Sequence, residues 1–164
     1  MVSIVKLEAG VMEDRVWPVD QPDLAFNPPV FRAIILMADA VQVTDGKLFI
    51  LGGGLGVVGP RPQHIAIAIR IGVPWDLANN KHEWNLNLTN EDGQPVAIGG
   101  KPVSLKGQFE AGRPPGTPPG SELWVPLGIN FGALAVERGK RFTWTLYING
   151  ETSNLWTAAF SVRP

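Results

Sequence analysis

From Phe31 onward, short apolar runs alternate with turn residues. The segment HIAIAIRI sets isoleucine at every second position against two alanines and an arginine, and RFTWTLYI alternates large apolar residues with mostly polar ones. A two-residue period places successive side chains on opposite faces of a β-strand. No stretch of the sequence carries the sustained 3.6-residue apolar stripe of an amphipathic helix. The pattern therefore predicts an all-β protein.

Turn signals between the apolar runs predict hairpins. Asp45-Gly46, Asp92-Gly93 and Asn149-Gly150 each follow one run and precede another, and Asp45-Gly46 suits the positive φ of both central residues of a type I′ turn. Nearly all connections are too short for crossover helices, so the strands are expected to be antiparallel. A sheet with one polar face must bury the other, which predicts an antiparallel β-sandwich, immunoglobulin-like or C2-like, of about eight strands.

The 164 residues suit one folded domain preceded by an arm. Residues 1–30 show little periodicity and contain four prolines, which predicts an extended arm. Its apolar side chains, which include Trp17 and Phe26, exceed what a purely solvated tail needs, so we expect the arm to pack on the domain or on a neighbouring copy. The sandwich domain is expected to span residues 31–164.

Charge and composition exclude several partners. The formal net charge is -1 with lysine and arginine scattered singly, which argues against nucleic acid and anionic membranes. The first residues lack the pattern of a secretory signal, and the apolar runs are too short to cross a bilayer, so a cytoplasmic location is expected. Only 18% of residues are charged, against about a quarter in typical domains. Some apolar surface is therefore expected to be covered by a partner.

The stretch LGGGLGVVGPRPQ contains Gly54, Gly56 and Gly59 in the spacing of a dinucleotide-binding loop. Such a loop needs a helix N-terminus directly after the glycines, because the helix presents its free amides to the pyrophosphate. Here Pro60, Pro62 and a further strand follow instead. The stretch is therefore interpreted as a glycine-rich connection between the two sheets of the sandwich. No cofactor is expected.

The candidate catalytic groups are few. His64 and His82 are isolated in sequence, without the spacing of a metal site, and the chain contains no cysteine. Asp39 interrupts the apolar run IILMADAV on the face shared with Met37, which predicts a buried carboxylate satisfied by hydrogen bonds in a structural role. We expect a non-enzymatic protein without a metal ion. An enzyme built on Asp39 with His64 or His82 is the remaining alternative.

The leading functional hypothesis is a protein-interaction or assembly module that self-associates, as a homo-oligomer or with a protein partner. The alternative hypothesis is a carbohydrate-binding module that uses the outward threonines and asparagines of the strands together with Trp124, which lies out of phase with its apolar neighbours. The expected interaction surface comprises Trp17, Phe26, Ala66, Ala68, Trp75, Trp124 and Tyr147.

The run AIILMADAVQVTDGKLFILGG resembles the opening of a bacterial, chiefly actinobacterial, family known only as a domain of unknown function. The matching features are the aliphatic strand ending at Asp39, the Asp45-Gly46 turn, and a second strand that runs into the glycines up to Gly54. The similarity continues through GVPWDLANNKHEWNLNL, EDGQPV, GRPPGTPPG and FSVRP. It implies a β-sandwich over roughly residues 31–164, and it implies no catalytic residues.

Overall fold

A computed structural model describes residues 30–164 of the chain. Over these residues the structure is built of β-strands, with one short 3-10 turn at Trp75–Leu77 and no helix long and apolar enough to cross a bilayer. The strands in chain order are β1 (Arg32–Ala38), β2 (Ala40–Thr44), β3 (Lys47–Leu51), β4 (Val57–Val58), β5 (Gln63–Val73), β6 (Lys81–Asn90), β7 (Ala97–Ile98), β8 (Lys101–Pro102), β9 (Ser104–Glu110), β10 (Leu123–Leu134), β11 (Arg141–Ile148) and β12 (Glu151–Val162).

Two sheets pack face to face around one core. The three-stranded sheet has the order β1-β5-β10, and the five-stranded sheet has the order β4-β12-β11-β6-β9. All pairings within them are antiparallel except that of the short β4 with β12. The predicted all-β sandwich is thus confirmed. Two further ribbons, β2-β3 and β7-β8, stand outside these sheets.

The core follows the period-2 patterns of the strands that face it. In β5 the four isoleucines from Ile65 to Ile71 point inward and are fully buried, and in β11 the large apolar residues from Phe142 to Ile148 do the same. Trp144 lies in this core with its ring stacked on Phe131 of the opposite sheet at 4.9 Å between centroids. The two sheets therefore share one hydrophobic core, and the two-residue period predicted for both segments is confirmed.

The outer face of the three-stranded sheet is covered by a third layer, which we call the covering hairpin (β2 and β3, Ala40–Leu51). Ala66 and Ala68 of β5 lie beneath it and are only 0% and 3% exposed. They form a small second core with Ala38 and Val41. Ala66 and Ala68 were expected on an exposed interaction surface; they are buried instead, because their short side chains leave room for the hairpin to pack onto the sheet.

Asn130 of β10 attaches the covering hairpin to the sheet. Its side-chain oxygen accepts a hydrogen bond from the backbone N–H of Val41 at 3.0 Å, and its side-chain nitrogen donates one to the Val41 carbonyl at 2.8 Å. The amide thus satisfies both backbone groups of Val41 as a neighbouring strand would. Gly128 leaves space for the Val41 side chain, because a Cβ at position 128 would lie only 2.9 Å from it.

The glycine stretch joins the edges of the two sheets. The amides of Gly54 and Leu55 donate to the carbonyl of Met37 in β1, and two residues later Gly56 accepts a hydrogen bond from Ser161 of β12. Residues Val57–Val58 then pair with the end of β12. The stretch passes from one sheet to the other with no helix beside it, so its interpretation as a sheet-to-sheet connection is confirmed.

Asp39 is exposed, so the prediction of a buried carboxylate is wrong. Strand β1 ends at Ala38 and the chain bends at Asp39, so the alternation that buries Met37 does not extend to the next residue of that parity. The Asp39 backbone N–H donates to the Leu51 carbonyl at 3.0 Å. Its side chain lies against Gly52, where a Cβ would collide with the carboxylate. Asp39 marks the corner between β1 and the covering hairpin.

Replacing Asn130 tests the attachment of the hairpin. We expect Asn130→Ala to lower the free energy of unfolding by about 1–2 kcal/mol, because two hydrogen bonds to Val41 are lost in a partly buried position. Urea unfolding measures this change, and hydrogen exchange should show faster exchange at the Val41 amide. Asn154→Ala is the matched control, since Asn154 is exposed on β12 and should shift stability by less than about 0.5 kcal/mol. Equal losses in the two variants would contradict this assignment.

Candidate functional site

The covering hairpin carries an apolar surface on the side that faces away from the sheet. Within β2 and β3, Val41 and its partner Ile50 share the face that points toward the sheet, so the alternate residues Phe49 and Leu51 point outward. Phe49 is 55% exposed and Leu51 70% exposed, and we call these two residues the hairpin ridge. Val43 and Ile50 lie on the face toward the sheet and are 42% and 41% exposed at its margins. Clustered exposed side chains of this size are typical of interaction surfaces.

The outer edge of β3 is a second feature of the same surface. The backbone N–H and C=O of Val41 both bond to the Asn130 side chain, so they point away from β3. Val41 and its partner Ile50 are therefore a non-hydrogen-bonded pair of the ribbon. By the alternation of an antiparallel ladder, Leu48 and Ile50 also direct their N–H and C=O groups away from β2. The edge of β3 therefore offers backbone donors and acceptors beside exposed apolar side chains.

Trp124 lies on the outer face of the three-stranded sheet, as its position out of phase with Leu123 and Val125 predicts. The Arg70 guanidinium stacks on its ring at 3.8 Å from the centroid. Trp124 is half-buried and borders a groove of about 240 Å³ beneath the tip of the covering hairpin. This groove, the basic groove, is lined by Gly46, Lys47, Leu48, Arg70, Trp124 and Pro126.

A neighbouring groove of about 410 Å³ shares Trp124 and Pro126 and continues toward the loop after β9. Arg113 in that loop stacks over Trp75 at 4.6 Å and donates a hydrogen bond to the Trp75 carbonyl at 2.8 Å. Trp75 is thus half-buried under an arginine. Trp75 and Trp124, the two tryptophans of the expected interaction surface, each have an arginine stacked on the ring. The sequence pattern does not indicate this pairing.

Tyr147 lies on the other side of the molecule, on the outer face of the five-stranded sheet. It stands opposite Asn85 of β6, which in turn stands opposite Lys106 of β9, so the three residues form one row across the sheet. They line a polar groove of about 720 Å³ together with Glu83 and Asn87. The outward asparagines therefore lie with Tyr147 and on the opposite sheet from Trp124. The combined site of the carbohydrate hypothesis does not exist as one surface.

The histidines occupy different environments. His82 of β6 is 5% exposed, with Nε2 at 2.9 Å from the Leu77 carbonyl and Nδ1 at 3.2 Å from the Asn149 side-chain nitrogen. A neutral ring that donates from Nε2 and accepts at Nδ1 satisfies both contacts. Phe31 and Phe109 pack against the ring at 5.0 and 5.4 Å between centroids. His64 is exposed near the start of β5.

No hydrogen bond or ion pair within residues 30–164 joins Asp39 to either histidine. The part of the chain that the structure describes also holds no group of three residues positioned to bind a metal ion. Trp17 and Phe26, the two arm residues of the expected surface, lie outside the described residues. The described residues of the expected surface separate into three places: a buried alanine pair, a tryptophan face and a polar groove.

The buried histidine supports a stability test. We expect His82→Ala to lower the free energy of unfolding by about 2–4 kcal/mol, because it removes packing between two phenylalanines and leaves the Leu77 carbonyl and the Asn149 amide without a partner. Urea unfolding at neutral pH checks this value. His64→Ala, the exposed control, should change it by less than about 0.5 kcal/mol. A loss of similar size at His64 would show that burial does not distinguish the two histidines.

Comparison with known families covers almost the whole sandwich. The family of unknown function DUF6941 matches residues 33–162, close to the span expected from the sequence resemblance. No curated protein matches the chain. The match takes in both sheets and the covering hairpin, and leaves out residues 1–32 and the last two residues. The chain therefore belongs to the DUF6941 family of unknown function.

Proposed function

We propose that the protein is a non-enzymatic assembly module that self-associates through the covering hairpin. The observation that carries the proposal is the hairpin ridge, where Phe49 and Leu51 stand exposed on an edge strand. An apolar edge strand whose backbone N–H and C=O groups are unpaired readily pairs with a strand of another molecule. The low content of charged residues in the chain supports the same conclusion.

A second copy of the chain is the partner that fits this surface. The charged residues of the hairpin, Asp45 and Lys47, have opposite signs and lie at its tip. With a formal net charge of only -1, two copies experience little mutual repulsion. A twofold axis brings the same patch of each copy together, and an apolar ridge is complementary to itself.

The geometry of β3 specifies the pairing. In an antiparallel contact centred on Phe49, Leu48 of each copy lies opposite Ile50 of the other copy. Because these residues direct their backbone groups outward, the contact forms four backbone hydrogen bonds. The two Phe49 rings then face one another as a cross-strand pair, at a position where Cα atoms are about 4.5 Å apart. The two hairpins become one four-stranded ribbon.

Removing the apolar ridge tests self-association. We expect the wild-type protein to sediment as a dimer at micromolar concentration and the double variant Phe49→Ser, Leu51→Ser to sediment as a monomer. The control is Leu155→Ser, which removes a side chain of similar exposure, 75% against 70% for Leu51, from β12 of the five-stranded sheet and should leave the dimer intact. A monomeric wild-type protein, or a double variant that remains dimeric, would refute the proposal. Circular dichroism of all three proteins confirms that each is folded.

A second candidate function is sugar binding in the polar groove. The observation that favours it is the row of Tyr147, Asn85 and Lys106, which places an aromatic ring beside hydrogen-bonding groups in a groove of about 720 Å³. Aromatic rings pack against the apolar face of a sugar, and amides bind its hydroxyls. In this form the hypothesis uses Tyr147 in place of Trp124, because Trp124 lies on the other sheet.

Glycan-array binding by matched variants tests the second candidate. If the groove binds sugars, Tyr147→Ala should reduce the bound signal about five- to tenfold, since one lost stacking contact is worth about 1–1.4 kcal/mol. Trp124→Ala should leave the signal unchanged, because it alters the opposite face. Absence of any bound glycan, or a signal that depends on Trp124 alone, would exclude this candidate.

A further inference from the structure

The basic groove carries cations without nearby partners. Arg70 stacks on Trp124, and within residues 30–164 it has no ion pair or side-chain hydrogen bond. Lys47 borders the same groove from the hairpin, and Arg113 borders the adjoining groove beyond Trp124. Glu110 lines the adjoining groove, and the Glu122 carboxylate lies over Gly72 beside Trp124, where it pairs with Arg32 at 3.6 Å. The basic groove itself is lined by Arg70, Lys47, Trp124 and Pro126 and, among residues 30–164, by no acidic residue.

The two parts of the chain have opposite charges. Residues 1–29 contain five carboxylate and two cationic side chains, and residues 30–164 contain ten and twelve. The formal net charges are therefore -3 for the first part and +2 for the second. The acidic side chains nearest the domain are Asp20 and Asp23. Charge complementarity of this kind favours contact between the two parts of the chain.

The first part of the chain joins the domain close to the basic groove. Arg32, at the start of β1, stands opposite Gly72 of β5, and Gly72 stands opposite Trp124 of β10. Two strand spacings, about 10 Å, thus separate Arg32 from Trp124 along one row of the sheet. An extended chain covers about 3.3 Å per residue, so a few residues before Val30 are enough to reach Trp124. Asp20 and Asp23 are within reach of Arg70 and Lys47.

The composition of residues 13–29 suits the groove. The segment EDRVWPVDQPDLAFNPP combines four prolines with Trp17, Leu24 and Phe26 and with four acidic side chains. Proline-containing segments bind in grooves lined by aromatic rings, where the ring and the proline pack face to face. The groove offers Trp124 and Pro126 for this packing and Arg70 and Lys47 for the carboxylates.

From these observations we infer that residues 13–29 bind along the basic groove of their own chain, with Asp20 and Asp23 against Arg70 and Lys47. The inference is independent of self-association. The hairpin ridge faces away from the sheet, whereas the basic groove lies beneath the hairpin tip, so variants can alter one surface and spare the other.

A spin label in the full-length protein tests the inference, because the chain has no cysteine of its own. The variant Gln21→Cys carries a nitroxide between the two aspartates. In a nitrogen-15 spectrum we expect the label to remove more than half of the signal from the Trp124 indole N–H and the Gly46 amide. The amide of Tyr147, on the opposite sheet, should keep its signal. Adding Arg70→Glu and Lys47→Glu should restore the Trp124 signal, whereas the control Lys106→Glu should not.

Three results would overturn the inference. The first is an unchanged Trp124 signal in the labelled protein. The second is equal loss at Trp124 and Tyr147, which would indicate contact without a defined site. The third is loss of the Trp124 signal in a mixture of spin-labelled protein without nitrogen-15 and nitrogen-15 protein without the spin label, because only binding to a neighbouring copy produces it. Sedimentation of the single variant Arg70→Glu separates the two proposals, since Arg70 lies on β5, outside the hairpin, and this variant should still form the dimer of the hairpin ridge.

Discussion

The contact between the covering hairpin and a row of small residues determines the outer architecture of this protein. Ala66 and Ala68 of β5 and Gly128 of β10 present almost no side chain on the outer face of the three-stranded sheet, so β2 can pack directly on the sheet backbone. Asn130 then fixes the position of β2 through both backbone groups of Val41. Larger residues in this row would hold the hairpin away from the sheet and leave those groups without partners.

Both surfaces that carry a proposal follow from this third layer. The hairpin buries Val41 and turns Phe49 and Leu51 to solvent, which creates the hairpin ridge. Its tip extends over Arg70 and Pro126, which closes one side of the basic groove. The glycine stretch that follows β3 returns the chain to the edge of β1 and on to β12, so the added layer does not interrupt the sandwich beneath it.

Much of the fold could be predicted from local pattern. The isoleucines of β5 and the large apolar residues of β11 fall on the buried face because alternation is set within each strand. The positions of Asp39, Ala66 and Ala68 could not be predicted in the same way. Alternation assigns a side chain to one of two faces, but whether a second layer covers that face depends on residues distant in sequence. One signal was present: KLFIL has apolar residues on both faces, as expected of a strand between two apolar surroundings.

The sequence alone determined the strand periods, the hairpin turns and the absence of a helix beside the glycines, because these depend on neighbouring residues and on backbone conformation. Only the tertiary structure decided which faces stay open. It separated Trp124 from Tyr147 by placing their strands in different sheets, and it buried the alanine pair under the hairpin. It also brought Asn130 to Val41 across 89 residues of chain. Contacts of this range arise from the packing of complete strands, and no short segment encodes them.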